Sequence, residues 1–427
     1  MEMINAEAVA VTVFLLTYAL VMSERIHRTI AAMAGASVVL FLDIVPWERL
    51  HIYLDLDTIL LLTGMMIVVN TARNSGLFEY IAIRTAKLAK GSPIRVLLLF
   101  SVVTAVVSAF LDNVTTVLLL TPMLLYVSRL MELNPVPFLL SEVFASNIGG
   151  TATLIGDPPN IMIGSAANLS FNEFIVNMGP IALIDLLVTV GVIYLAYRGT
   201  LKVSGEERRR ILRTLEDLDE RAAIKDIVLF RKSVIVILMI VAVFFVHDRL
   251  GIEPAVVALT GASAILLWAR EDPEGVLEKV EWPTLFFFGG LFIIVGALVE
   301  TGTIDQLARW ITSHIHSEGE ALLIISWFSA FASAIVDNIP FTATMIPLIK
   351  AMGGSLNTYP LWWALSLGAC LGGNGTAIGA SANVVVIGIA EREGVKITFG
   401  DFLKVGMVIM TLTVLAGVGI LWLRYVG

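Results

Sequence analysis

The sequence predicts an all-α polytopic membrane protein built from two inverted-topology repeats, each with about five transmembrane helices plus a re-entrant hairpin, and with broken helices at mid-membrane. Three observations predict it: a composition too apolar for a water-soluble domain, uncharged runs of helix-spanning length, and motifs that recur about 225 residues along the chain. Hydrophobic residues form 57% and charged residues 15% of the 427, against roughly half and a quarter in soluble domains. Lipid offers no partner to open backbone groups, so helices are the default spanning element.

Apolar runs such as Ala6 to Met22, Ile59 to Val69, Val234 to Val246 and Met407 to Trp422 are nearly uncharged. The first carries acidic Glu2 and Glu7 rather than a basic start, so it reads as a retained helix and not a cleaved signal. Spans are expected near 6–22, 27–43, 57–73, 135–168 and 176–197, then near 233–247, 253–269, 283–300, 358–390 and 402–424. The fourth span of each set is too long and too rich in Gly and Pro for one straight helix, which predicts a mid-membrane break. Ile94 to Met131 and Ala321 to Met352 are interrupted by Asp112-Asn113 and by Asp337-Asn338-Ile339-Pro340. Neither region supplies about twenty apolar residues a side, so each is expected to be a re-entrant hairpin.

The chain thus divides into an N-terminal repeat (1–197), a charged linker (198–232) and a C-terminal repeat (233–427). Ten Lys and Arg residues lie in the linker, which predicts that it faces the cytoplasm of a cell membrane. Cys370 is the only cysteine, which excludes an internal disulfide and a cysteine metal cluster. A net charge of -8 provides no basic surface for nucleic acid. The five histidines sit at predicted span ends and no HExxH occurs, so hydrolytic zinc is not expected.

The repeat carries the functional reading. Ser108-Ala109-Phe110-Leu111-Asp112-Asn113 followed by Thr121-Pro122 matches Ser333-Ala334-Ile335-Val336-Asp337-Asn338 followed by Ile346-Pro347, at a spacing of 225. Gly149 to Gly156 with Asn160 matches Gly372 to Gly379 with Asn383 at 223, and Gly64 and Gly76 match Gly290 and Gly302 at 226. An odd number of spans per half makes the second half enter from the opposite face. Two hairpin tips and two broken helices would then meet at one central site.

Asp112 and Asp337 are the leading coupling-ion or proton sites, since an ionisable group inside a membrane is costly and usually functional. Their alternative role is to cap the helix that follows. Asn113 and Asn338 offer amides beside them, and Na+ at the hairpin tips is the one metal ion the residues suggest. Thr115, Thr116, Thr342 and Thr344 add hydroxyls, or bond only to their own helices. At the breaks, Asn147, Gly150, Thr151, Thr153 and Asn160, with Gly373, Asn374, Thr376, Ser381 and Asn383, form the expected substrate site. Tight small-residue packing is the competing reading there. Asp157 has no acidic twin, its counterpart being Ala380, so the halves are chemically unequal and Asp157 joins the coupling candidates. Glu142 and Asp185 are unduplicated acids that could relay protons. No catalytic residue or cofactor beyond a coupling H+ or Na+ is expected.

These blocks, from Ser108 to Pro122, Ala145 to Asn160, Ser333 to Pro347 and Gly372 to Asn383, resemble the ion transporter superfamily, in its branch of arsenite/antimonite efflux permeases, citrate-transporter-like proteins and the P protein. The resemblance implies an elevator-type homodimer in a lipid bilayer carrying a small ionic or polar solute. Related dicarboxylate symporters carry Ser-Asn-Thr at their tips, where this chain has Asp112-Asn113-Val114-Thr115 and Asp337-Asn338-Ile339-Pro340. An added carboxylate repels an anionic substrate unless it is neutralised. The expected function is H+- or Na+-coupled secondary transport, best matched to arsenite or antimonite efflux. Na+/H+ antiport, citrate-like di- or tricarboxylate transport and a passive anion channel are the alternatives. A membrane aspartyl protease fits poorly, because its GxGD signature would need Gly where Leu154 stands.

Overall fold

The computed structural model describes residues 6–23 and 25–427; Glu2 lies outside the described residues. The first half runs α1 (Ala6–Ser23), α2 (Arg28–Phe41), a short α3 (Leu50–Tyr53), α4 (Leu56–Asn74), α5 (Leu77–Leu88), α6 (Pro93–Phe110), α7 (Asn113–Leu130), α8 (Val136–Thr151), α9 (Pro158–Ala167) and α10 (Phe171–Tyr197). After the linker helix α11 (Gly205–Glu216) come α12 (Ile227–Phe244), short α13 (His247–Leu250), α14 (Pro254–Ala269), short α15 (Pro273–Leu277), α16 (Trp282–Glu300), α17 (Thr303–His314), α18 (Glu318–Ile335), α19 (Asn338–Met352), α20 (Tyr359–Gly372), α21 (Ser381–Arg392) and α22 (Phe399–Tyr425). No strand occurs among the described residues.

Nine of the described helices are long and apolar enough to cross a membrane. They are not quite the expected set. The spans expected at 27–43 and 253–269 form helices of only 14 and 16 residues. The helix expected at 233–247 already begins at Ile227, capped by Asp226, and takes in Arg231, which is exposed, and Lys232, which donates to the Trp268 carbonyl at 2.6 Å. The hairpin arms are longer than expected: α6, α7 and α18 each have 18 residues and qualify as spans by length. Even so, α6 and α7 begin and end on one face, for linker residue Arg208 donates to the Lys90 carbonyl and Arg210 pairs with Glu132 at 2.8 Å.

Helices α5 and α17 are too short and too mixed in polarity to have been read as spans. Both start on a glycine with positive φ, 86° at Gly76 and 73° at Gly302, which are one matched pair of the third repeated block. A residue with a side chain is strained in that conformation. The linker straps the first of them: Lys225 donates its backbone N–H to Ser75, its Nζ reaches Glu79, and Lys87 reaches Glu220 at 2.6 Å.

The other two repeated glycines hold the halves together. Gly64 of α4 lies against Ala258 of α14, where an added Cβ would sit 2.7 Å from the Ala258 carbonyl carbon. Gly290 of α16 lies against Ala32 of α2 in the same way, at 2.8 Å. Each repeat therefore contributes one glycine and one alanine to a close helix crossing with the other, the small-residue packing that helices use in lipid. Gly64→Val or Gly290→Val should each destabilise the protein by about 1–3 kcal/mol. Thermal unfolding in detergent checks this, with Gly419→Val, which meets nothing within 4 Å, as the neutral control.

Candidate functional site

Helices α8 and α9 are separated by a non-helical stretch at 152–157, and α20 and α21 by one at 373–380. Backbone carbonyls freed by such breaks need donors, and buried without them they cost several kcal/mol each in hydrocarbon. Asn160 donates its amide to the carbonyls of Gly150 (3.1 Å), Thr151 (3.2 Å) and Thr153 (2.9 Å). Asn383 does the same for Gly373 (2.7 Å) and Thr376 (2.8 Å). Thr153 and Thr376 fasten the breaks to the hairpins by donating to the carbonyls of Ala109 and Ala334. Ser108 donates to Ser146 and Ser333 to Ala369, at 2.7 and 2.6 Å. The glycines matter by contact: a Cβ on Gly150 would lie 2.7 Å from the Gly156 carbonyl oxygen, and Gly373 faces Gly379 equivalently.

These residues are thus spent on structure rather than left open to a ligand. Thr151 bonds back to the Asn147 carbonyl, and Thr342 and Thr344 bond back to Asn338 and Pro340. The remaining side chains converge at the centre. Asn113 donates to the Asn147 amide oxygen at 3.1 Å, and Asn147 donates to Asn374 (2.9 Å) and Asn383 (3.1 Å), a buried chain of amides linking both halves. The Asn374 Nδ2 is buried without a partner. Across the centre, Asn338 donates to both oxygens of Asp157 at 3.2 Å. Asp112 and Asp337 each lie within electrostatic reach of Asp157.

Both tip aspartates also cap their helices. Asp112 accepts from the Thr115 N–H at 2.8 Å, and Asp337 from the Ile339 N–H at 3.1 Å. The capping reading and the functional one are therefore compatible. Ser381 donates to Asp337 at 2.5 Å, and Arg28 stands 3.4 Å from the same oxygen. Tyr18 donates to Pro340 at the second hairpin, so α1 also touches the site. No signal within the repeat pointed to either residue, because neither position is duplicated. Glu142 is buried, with one oxygen accepting from Thr121 at 3.2 Å and the other unpartnered, and neither oxygen of buried Asp185 has a partner. The Cys370 thiol is buried against Asn160 at 3.4 Å, a core position.

Residues 18–368 match a family described as the citrate transporter family. The chain belongs to that family. It is a membrane transporter. It is 44% identical to a 46 kDa membrane protein of Mycobacterium leprae, over 98% of both chains, and 44% identical to an uncharacterised transporter of Mycobacterium tuberculosis over the same shares. It is 32% identical to the human P protein over 96% of this chain and 59% of that protein. The structure of the YdaH transporter of Alcanivorax borkumensis, described as having an unusual topology, superposes with a TM-score of 0.60 over 99% of each chain at 13% identity. That likeness establishes a shared fold.

Two kinds of asparagine are separable in the transporter. Asn160→Ala should unfold it at lower temperature, by about 2–4 kcal/mol for the bonds lost. Asn374→Ala removes an unused donor and one of the two acceptors of Asn147, so it should lower the unfolding temperature less than Asn160→Ala does while lowering flux. Paired thermal-unfolding and flux assays check both.

Proposed function

We propose that the transporter is a secondary active carrier coupled to H+ or Na+, moving its cargo by elevator-type alternating access, with a small oxygen-bearing inorganic solute of the arsenite or antimonite class as cargo. One observation carries the reading: Asp112, Asp157 and Asp337 gather around a buried amide chain that still has a free donor on Asn374, and the guanidinium nearest them, Arg28, already faces a carboxylate. Such a site accepts a cation or a proton at its carboxylates and a neutral hydroxyl-bearing solute at its amides. A tricarboxylate would add negative charge to three carboxylates with one engaged guanidinium to offset it, which disfavours citrate.

The repeats are read as inverted, 1–197 against 233–427, with the linker on the cytoplasmic side and the hairpins re-entrant. Nine matched pairs of helices, from α1 with α12 to α10 with α22, support this, as does the attachment of only the first hairpin to the linker. A homodimer is the assembly that the family resemblance suggests. Na+/H+ exchange is the second reading, favoured by the same three carboxylates. It would need no solute at the Asn374 donor.

Asp157→Asn should abolish gradient-driven flux, by tenfold or more, while protein of normal unfolding temperature still reaches the membrane. Proteoliposomes with imposed pH or Na+ gradients, given arsenite, citrate or radioactive sodium in parallel, test the cargo and the coupling together. Cation-independent downhill flux at channel-like rates would overturn the reading, and arsenite-independent sodium flux would replace it with exchange.

A further inference from the structure

The two tip aspartates are twins in sequence and differ in surroundings. Arg28, the first residue of α2, places Nη1 3.4 Å from Asp337 Oδ2 and 2.5 Å from Ser381 Oγ, and Ser381 in turn donates to the same Asp337 oxygen at 2.5 Å. The guanidinium also lies over the Phe287 ring, 5.2 Å from its centroid, which fixes its direction. Arg28 and Asp337 line a cavity of about 310 Å3 at the linker-side ends of α1 and α2, so this corner is reachable by water and ions. At the first tip the positions corresponding to Arg28 and Ser381 are Pro254 and Pro158. Asp112 there has a capping bond and no ion pair among the described residues.

We propose that Arg28 is an internal counter-cation that occupies the coupling-cation position of the second tip, so that the exchangeable cation binds at Asp112 and Asp157 and reaches Asp337 only by displacing the guanidinium. The proposal rests on the coupled-carrier reading. Arg28 belongs to a helix braced by α16, and Asp337 to a hairpin tip, so the pair also ties that hairpin to the brace. The charged and titratable groups facing it are Glu281, which senses both Arg28 and Asp112, together with Asp112, Asp157 and the helix-capping His27. One guanidinium therefore stands among four carboxylates. Removing it leaves Asp337 without an ion pair, held only by Ser381 and the Ile339 N–H.

Two arms separate the cation. Purified protein is melted in detergent across a Na+ series at fixed pH, and across a pH series without Na+, since a bound cation raises the melting temperature by mass action. Arg28→Gln should lower the half-saturating concentration of one of these cations at least tenfold. Arg28→Lys should keep the original value, and Arg28→Gln combined with Asp337→Asn should restore it. An unchanged midpoint for both cations in Arg28→Gln overturns the proposal, as does a shift that survives Asp337→Asn, or the absence of any cation stabilisation in all variants. If Arg28→Gln merely misfolds, Asp337→Asn alone decides: it should leave the wild-type midpoint unmoved, and a lost cation response would show that Asp337 is itself the primary site. Flux in proteoliposomes is scored separately: no gradient-driven flux with a shifted midpoint refutes the coupled-carrier reading and not the role of Arg28.

Discussion

Two helices are broken inside the helical bundle, among buried residues, and the carbonyls this frees must find donors within the protein. Asn160 and Asn383 meet that requirement, each clasping the backbone of its own break. Much else follows from this one constraint. The clasp holds the breaks open in a fixed shape, the threonines fasten them to the hairpins, and Asn147 joins the two clasped breaks into one polar centre. Glycine is required on the inner surface because a break folded this tightly brings backbone against backbone, as at Gly150 and Gly156.

The chemistry sits where the symmetry fails. Duplicated residues build the frame: serines on the hairpins, threonines in the breaks, and glycine with alanine at the crossings between halves. Residues without a twin stand at the polar centre beside the duplicated Asp-Asn tips. Asp157 faces Ala380 across the repeat, Asn147 faces Cys370, and Arg28 faces Pro254. The frame is therefore nearly symmetric in its packing, and the difference between the halves lies in these unmatched side chains.

Much of this was legible before the fold was known. The Asp-Asn tips, the glycine-rich breaks and the inequality of Asp157 follow from self-comparison of the chain. The roles of individual polar residues were less legible. Thr153 and Asn160 carry ligand-type groups, yet their partners are backbone atoms, and Thr153 finds its own at Ala109, far back in the sequence. Arg28 and Tyr18 were missed because their importance comes from contacts with the other half, which no local pattern encodes. Helices α5 and α17 escaped notice because an amphipathic segment of 12 residues has no span signature, although their opening glycines had already been marked as a repeated pair.

The strap formed by the linker makes the two faces mechanically different. On one face, Gly76 is pressed against the Ala223 carbonyl, and α5 is held by ion pairs from the segment that joins the halves. By contrast, Gly302 has open space around it, and among the described residues α17 is tied to α1 by Gln306 on Glu7 and has no ion pair from the linker. The stretch of chain that joins the two halves forms a shelf under the first hairpin. Among the described residues no ion pair from the linker reaches the second hairpin, so a change in the linker bears on the first hairpin and not on the second.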